Sequence, residues 1–185
     1  MLGKFSRFIL RFFGWKILGW DPKLLDKYVV IVIPHTSNWD FPLGLLVRQA
    51  MDAPHLKFIG KDSLFRPPFG AIFRWLGGYP VDRSKRTHFV DSIVDLYNSQ
   101  NRFVVVLSPE GSRKKVDQLK TGFYYIALGA GVPIVMVKFD WGSKTVTWRE
   151  PFYPSGTWET DLKVIEDYFR GVQGKLPQNS YMYQR

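Results

Sequence analysis

One stretch of the sequence decides the fold: Tyr28-Val29-Val30-Ile31-Val32-Ile33, six apolar residues in succession, of which five are β-branched. A run of this length and composition predicts a β-strand, and the lack of alternating polar residues predicts burial on both faces. Such strands are typical of parallel sheets that are covered by helices. The polar segment that follows, Pro34-His35-Thr36-Ser37-Asn38-Trp39-Asp40, is expected to leave the strand as a turn and to lead into a helix.

Strand-like and helix-like segments alternate along the rest of the chain. Further strands are predicted near residues 56–59, 79–81, 103–107, 132–137 and 144–149, and helices near 40–51, 71–76, 86–99, 119–130 and 158–170. This alternation predicts an α/β fold, in which a single domain contains a mainly parallel sheet flanked by helices. We expect the domain to span residues 21–176, between an N-terminal helix over residues 1–20 and an irregular tail over residues 177–185.

The composition narrows the classes of partner. The chain has 26 Lys and Arg against 16 Asp and Glu, a formal net charge of +10. Such a balance favours anionic partners, namely nucleic acid, phosphorylated substrates or an acidic membrane surface. Aromatic residues make up 17% of the chain and include seven tryptophans, which favours an interfacial setting. Cysteine is absent, which excludes disulfides and thiolate nucleophiles and agrees with a cytoplasmic setting.

The first twenty residues carry four basic side chains and no acidic one. Lys4, Arg7 and Arg11 recur at spacings of three and four, so they share one helical face. The charges are too frequent for a transmembrane helix, and the apolar stretch and cleavage site of a signal peptide are lacking. The pattern is typical of a helix lying in a membrane interface; a helix packed on its own domain is the alternative. The residues predicted to contact the membrane are Lys4, Arg7, Phe8, Arg11, Phe12 and Trp15.

The polar segment after the first buried strand offers one imidazole, His35, and five residues later one carboxylate, Asp40. Residues with this spacing lie on different faces of a regular helix, so they can meet only across a turn or a helix start. The carboxylate could then bond one ring nitrogen and leave the other free to take a proton. In the alternative interpretation Ser37-x-x-Asp40 is a capping box, and His35 is a structural residue at a strand edge.

Two further polar motifs follow predicted strands: Asp82-Arg83, and Glu110-Gly111-Ser112-Arg113. The carboxyl ends of parallel strands share one edge of a sheet, so we expect both motifs to converge with His35 there. Arg113 could bind a phosphate through two parallel hydrogen bonds, while the glycine permits a tight turn and the serine adds a donor. A solvated turn and a weak surface ion pair are the alternative interpretations.

Together these motifs carry a family resemblance. Four blocks, His35-x4-Asp40, Gly78-Tyr79-Pro80-Val81-Asp82-Arg83, Pro109-Glu110-Gly111-Ser112-Arg113 and Val132-Pro133-Ile134, resemble in order and spacing the four motif blocks of one family. It is the family of lysophospholipid and glycerol-phosphate acyltransferases, which includes the 1-acylglycerol-3-phosphate acyltransferases. The resemblance covers about residues 30–137. The chain departs from the family pattern at Pro34, Pro80, Ser108, Ser112 and Met136, and it is short for the family.

The resemblance implies acyl transfer from a thioester, acyl-carrier protein or acyl-coenzyme A, to a hydroxyl of a lysophospholipid or related lipid acceptor. It implies a peripheral protein on the cytoplasmic face of a membrane, with His35 as general base and Asp40 as the residue that orients it. The residues implied to bind the acceptor's phosphate or polar head are Arg83, Glu110, Gly111, Ser112 and Arg113. No cofactor other than the acyl thioester, no metal and no nucleic acid partner is expected.

Two other functions remain compatible with the sequence. A lipid or thioester hydrolase could use the same His35 and Asp40 pair on water, and a non-enzymatic basic protein could simply bind membranes. Direct transfer is favoured over an acyl-enzyme because the chain has neither a cysteine nor a G-x-S-x-G motif. Ser37 is interpreted as a cap, and the donors for the oxyanion are not assigned.

Overall fold

The structure is a computed structural model that describes residues 2–81, 86–181 and 183. Asp82 and Arg83, the predicted second polar motif, lie outside the described residues. The helices are α1 (Leu2–Phe12), α2 (Asp40–Ala50), α3 (Gly70–Trp75), α4 (Arg86–Ser99), α5 (Gly122–Ala130) and α6 (Trp158–Phe169). The strands are β1 (Lys16–Gly19), β2 (Lys27–Ile33), β3 (Leu56–Lys61), β4 (Gly78–Val81), β5 (Phe103–Leu107), β6 (Ile134–Asp140) and β7 (Thr145–Trp148). Short 3₁₀ helices cover Asp62–Phe65 and Pro177–Asn179.

The strands form a single sheet in the order β1-β7-β6-β2-β5-β3-β4. β2 to β6 all run parallel, whereas β7 is antiparallel to β6, and β1 is parallel to β7. The predicted α/β fold with a mainly parallel sheet is therefore confirmed. Because β2 lies between β5 and β6, the turn that leaves it is flanked on both sides by the ends of parallel neighbours.

The first predicted strand is buried on both faces, as its composition indicates. Val29, Ile31 and Ile33 point into a core that α4, α5 and α6 complete, while Tyr28 and Val30 point into a second core beneath α1 and α2. Each of these five side chains is at most 1% exposed. Removing this much branched apolar surface from water stabilises the sheet, and it fixes where the following turn emerges.

The N-terminal helix is shorter than predicted. It ends at Phe12 because the chain turns at Gly14, whose φ of +79° places it in the left-handed region. The N–H of Gly14 donates to the carbonyl of Arg11, and the N–H of Trp15 donates to the carbonyl of Leu10. This is the Schellman arrangement, in which glycine ends a helix. Residues 16–19 then enter the sheet as β1, so the predicted helix over residues 1–20 is wrong for residues 13–20.

Helix α1 packs on the domain through a narrow stripe. Ser6 and Leu10 are buried, and the Ser6 hydroxyl donates to the Oε1 of Gln49 in α2 at 2.8 Å. The opposite face carries Phe8 and Phe12, which are 65% and 73% exposed. The helix therefore contacts its own domain and also presents a row of aromatic rings to the outside. None of the described helices has both the length and the apolar character needed to cross a bilayer.

The segment after α6 folds back onto the domain. The N–H of Leu176 donates to Thr36 Oγ1 at 3.1 Å, and Gly174 is buried against the same threonine. Tyr181 is 4% exposed, and its hydroxyl donates to Glu166 Oε1 at 2.5 Å. The end of the described chain thus covers the turn that contains His35.

Candidate active site

The turn after β2 brings His35 and Asp40 together. The Nδ1 atom of His35 lies 3.1 Å from the Oδ2 atom of Asp40, the first residue of α2. The imidazole is 24% exposed, whereas the carboxylate is 2% exposed. An ionised carboxylate can only accept hydrogen bonds, so this contact favours the tautomer of a neutral ring in which Nδ1 carries the proton and Nε2 is free.

The carboxylate of Asp40 also accepts two hydrogen bonds from other residues. Its Oδ2 atom accepts the backbone N–H of Ser37 at 2.9 Å, and its Oδ1 atom accepts the indole N–H of Trp141 at 2.8 Å. The interpretation of Ser37 as the cap of this helix is wrong, because α2 begins at Asp40 with Trp39 at its N-cap and without a side-chain cap. Ser37 Oγ instead accepts the N–H of Trp39 at 3.3 Å, within the turn that precedes the helix. The Asp40 carboxylate thus ties this turn to the start of the helix and lies beside the imidazole.

Glu110 approaches the same turn from the end of β5. Its Oε2 atom accepts the backbone N–H of His35 at 2.5 Å, and the residue is 1% exposed. Its Oε1 atom has no hydrogen-bond partner among the described residues. Burial raises the pKa of Glu110 to about 6, against the opposing influence of the His35 N–H. The carboxylate is therefore directed at the backbone of the turn, where it holds the imidazole in place.

The residues after Glu110 form an exposed basic turn. Gly111 has a φ of +65°, and a Cβ at this position would lie 2.5 Å from Lys120 Nζ, so both the backbone and the space favour glycine. Ser112 Oγ accepts the N–H of Lys114 at 3.2 Å and is otherwise directed at the turn itself. Arg113 is exposed, and it lines the same pocket as His35.

The pocket beside His35 has a volume of about 300 Å³ and lies between α2 and the sheet. Its polar lining includes His35, Asp40 and Arg113. Most of its wall is apolar, as in Val30, Val32, Leu45, Phe58, Val106 and Phe139. Two further lining groups, the hydroxyl of Ser108 and the indole N–H of Trp148, are buried without a hydrogen-bond partner among the described residues. The site therefore combines the imidazole of His35 with an apolar cavity.

One predicted membrane contact is wrong. Trp15 is 8% exposed and packs edge-on against Trp141, with ring centroids 4.9 Å apart. The reason is the early end of α1, which turns Trp15 inward, whereas Phe8 and Phe12 stay outside. Arg7 is exposed but pairs with Asp52 at 3.2 Å.

No sequence pattern points to Trp141 as a functional residue. It follows β6 in the turn to β7, and its contact with Asp40 joins residues 101 positions apart. A tryptophan in a polar turn has no spacing or periodicity that links it to a distant carboxylate. The pocket was also not predicted, because its walls are ordinary core residues of α2 and the sheet.

A histidine–aspartate pair at the carboxyl edge of a parallel sheet is the arrangement expected from the resemblance to the acyltransferases. The chain belongs to the family described as Acyltransferase, whose sequence model matches residues 21–140. The assignment made from the four motif blocks is thereby confirmed.

Individual relatives carry more specific names. The chain is 31% identical over 133 residues to the 1-acyl-sn-glycerol-3-phosphate acyltransferase of Escherichia coli (strain K12), covering 68% of this chain and 53% of that protein. It is 29% identical over 173 residues to 1-acyl-sn-glycerol-3-phosphate acyltransferase beta of Homo sapiens, covering 90% of this chain and 60% of that protein. The chain thus spans somewhat over half the length of these curated relatives.

A solved structure shows the same fold. The crystal structure of the 1-acyl-sn-glycerophosphate (LPA) acyltransferase from Thermotoga maritima matches with a TM-score of 0.61 at 24% sequence identity. The match covers 92% of this chain and 76% of that one.

Proposed function

We propose that this protein transfers a fatty acyl group from a thioester to a hydroxyl of a lysophospholipid or a related lipid acceptor. The observation that carries the proposal is the His35–Asp40 pair, 3.1 Å apart, in the wall of an apolar pocket. Membership of the acyltransferase family and the names of the relatives support it. The donor would be acyl-carrier protein or acyl-coenzyme A.

The chemistry follows from the position of the proton on His35. The free Nε2 atom would accept the proton of the acceptor hydroxyl while that oxygen attacks the thioester carbonyl carbon. Asp40 would stabilise the imidazolium that forms, through its contact with Nδ1. The C–O bond forms, the C–S bond breaks, and the imidazolium returns its proton to the departing thiolate. The products are an ester and a free thiol, and no acyl-enzyme is needed.

The apolar and the charged lining of the pocket suit the acyl chain and the acceptor phosphate, respectively. Its apolar wall fits an acyl chain, since burying methylene groups is favourable by about 0.8 kcal/mol each. Arg113 is positioned to bind an acceptor phosphate, because it is an exposed cation that lines the pocket with His35. Arg83 keeps the same proposed role on the strength of the family resemblance alone.

Helix α1 supports binding at an anionic membrane surface. Phe5, Phe8 and Phe12 recur on one helical face and are 61%, 65% and 73% exposed. Lys4 and Arg11 lie on the flank of this face, where they could reach lipid phosphates. We therefore propose peripheral attachment at the cytoplasmic face, with aromatic rings in the interface and the domain outside it.

The test is acyl transfer by the full chain on vesicles that contain anionic phospholipid. Labelled acyl-carrier protein and acyl-coenzyme A are offered with lysophospholipids and glycerol 3-phosphate. Wild type should form an acylated lipid, and His35→Ala should lower the rate about a hundredfold to ten-thousandfold. Asp40→Asn should also lower the rate. Its matched control is Asp167→Asn, since Asp167 pairs with Arg170 on the surface at the end of α6.

Three results would each be informative. Histidine-dependent formation of an acylated lipid supports the transferase and identifies donor and acceptor. If free fatty acid were the only product, and its release depended on His35, the protein would be a hydrolase and not a transferase. Vesicle binding with neither product from any donor would contradict an enzymatic function.

A further inference from the structure

The indole N–H of Trp141 makes a hydrogen bond that the proposed reaction does not yet account for. It donates to Asp40 Oδ1 at 2.8 Å, on the oxygen that does not face His35. The Asp40 side chain is 2% exposed, so water has little access to replace this donor. A buried carboxylate that loses a charge-assisted hydrogen bond is left with an unmet acceptor, which is costly.

Trp141 is itself held from three sides. Its backbone N–H donates to the carbonyl of Gln173 at 2.8 Å. The ring of Trp15 packs edge-on against it, with an interplanar angle of 90°. The ammonium of Lys175 lies 4.4 Å from its ring centroid, in a cation–π contact. The indole is thus held between Trp15, which follows α1, and the segment of Gln173 and Lys175, which follows α6. Its N–H can therefore act as a rigid donor.

The two oxygens of Asp40 are therefore assigned to different partners. Oδ2 lies 3.1 Å from His35 Nδ1 and accepts the N–H of Ser37, and Oδ1 accepts the indole N–H of Trp141. Holding both oxygens stops rotation about the Cβ–Cγ bond, so that Oδ2 stays directed at the imidazole. We propose that Trp141 is a positioning residue for acyl transfer, acting through Asp40. This inference rests on the proposed role of the His35–Asp40 pair.

The first experiment removes the donor and keeps an aromatic ring. Trp141→Phe retains a face for Lys175 and an edge for Trp15, but lacks the N–H. We expect kcat to fall about 10- to 100-fold, the range for a hydrogen bond to a charged group, with KM for both substrates within about twofold. Trp158→Phe is the matched control, since Trp158 packs on Phe123 and Tyr124 in another part of the core.

A double-mutant cycle tests whether Trp141 acts through Asp40. In the Asp40→Asn background, Trp141→Phe should have little further effect on kcat, because the carboxylate that it orients is gone. Equal losses in both backgrounds would overturn the proposal. If Trp141→Phe folds poorly, 3-benzothienylalanine at position 141 keeps the ring shape with sulfur in place of the N–H. It should give the same kcat loss.

The outcomes separate this inference from the proposed function. If His35→Ala and Asp40→Asn leave transfer unchanged, the proposed mechanism fails, and Trp141 has nothing to position. If those two variants lose activity but the 141 variants keep wild-type kcat per folded molecule, the mechanism stands and Trp141 is only structural. A loss of kcat in Trp158→Phe as large as in Trp141→Phe would also overturn the positioning role.

Discussion

The carboxylate of Glu110 accepts the backbone N–H of His35 at 2.5 Å, a contact between residues 75 positions apart in the chain. It links the ends of two adjacent parallel strands, β2 and β5, at the edge of the sheet where the pocket lies. The side chain expected to face a polar headgroup thus bonds to the main chain of the proposed base. Its contribution to acyl transfer should therefore depend on hydrogen-bond acceptance more than on charge.

Substitution of Glu110 distinguishes these two contributions. Glu110→Gln keeps an oxygen that can accept the His35 N–H, so we expect kcat within about tenfold of wild type. Glu110→Ala removes the acceptor and leaves a buried N–H unpaired, which costs about 1–3 kcal/mol. We expect it to lower both kcat and the free energy of unfolding. Steady-state kinetics with denaturant unfolding checks this, and a Gln variant as inactive as the Ala variant would contradict it.

The raised pKa of Glu110 predicts a pH dependence of stability. Burial raises the pKa from the ordinary value of 4.5 to about 6, so the folded state favours the protonated form. Its stabilising contribution is present below pH 4.5 and is lost as the pH rises to about 6. Over this window wild type should lose about 2 kcal/mol of unfolding free energy relative to Glu110→Gln.

The measurement is denaturant unfolding of both proteins from pH 4 to pH 8. Titration of the other groups is common to both proteins and cancels in the difference. A difference that stays constant across the window would show that Glu110 titrates in the folded protein as it does in the unfolded chain.

Gly44 offers a test of the acyl pocket. It lines the cavity from α2, and a Cβ at this position would meet only the ring of Phe139, at an ordinary 3.7 Å. Gly44→Ala should therefore be tolerated and should slightly stabilise the helix. Gly44→Leu should fill the cavity and reduce transfer from long-chain donors about tenfold or more relative to short-chain donors. If Gly44→Leu transferred acyl groups of all lengths at equal rates, the cavity would not be the binding site of the acyl chain.

The aromatic face of α1 predicts the membrane affinity. Phe8→Ala and Phe12→Ala should each weaken binding to anionic vesicles on the order of tenfold, since burying a phenylalanine is worth about 1.5–3 kcal/mol. Both rings are exposed, so the free energy of unfolding should not change. Vesicle co-sedimentation measures the effect. Tyr153→Ala is the control, because Tyr153 is 67% exposed outside α1; an equal loss in this variant would contradict the assignment.

Local patterns in the sequence were enough to predict much of the sheet and the proposed catalytic pair. The strand predicted over residues 103–107 matches β5, and the helix predicted to begin at Asp40 begins there. Both predictions rest on composition and capping, which act over a few residues. The convergence of His35 with Glu110 then followed from the parallel arrangement of their strands.

The features of the structure that could not be predicted depend on contacts between distant residues, which no local sequence pattern encodes. The basic and apolar composition of residues 1–20 predicts one helix through Lys16–Gly19, whereas pairing with β7 makes this segment a strand. Trp15 follows the same chain reversal and becomes core. The bond from Trp141 to Asp40 depends on the whole sheet being assembled, so only the structure could reveal it.

The bond between Leu176 and Thr36 has a consequence for how the protein matures. It joins residues 140 positions apart, and it closes over the turn that carries His35. A contact of such long range requires a large loop to close. On the ribosome β2 emerges early, but its turn has to wait for nearly the whole described chain before this contact can form. The cover over the turn that carries His35 is therefore among the last contacts of the described chain that can form during synthesis.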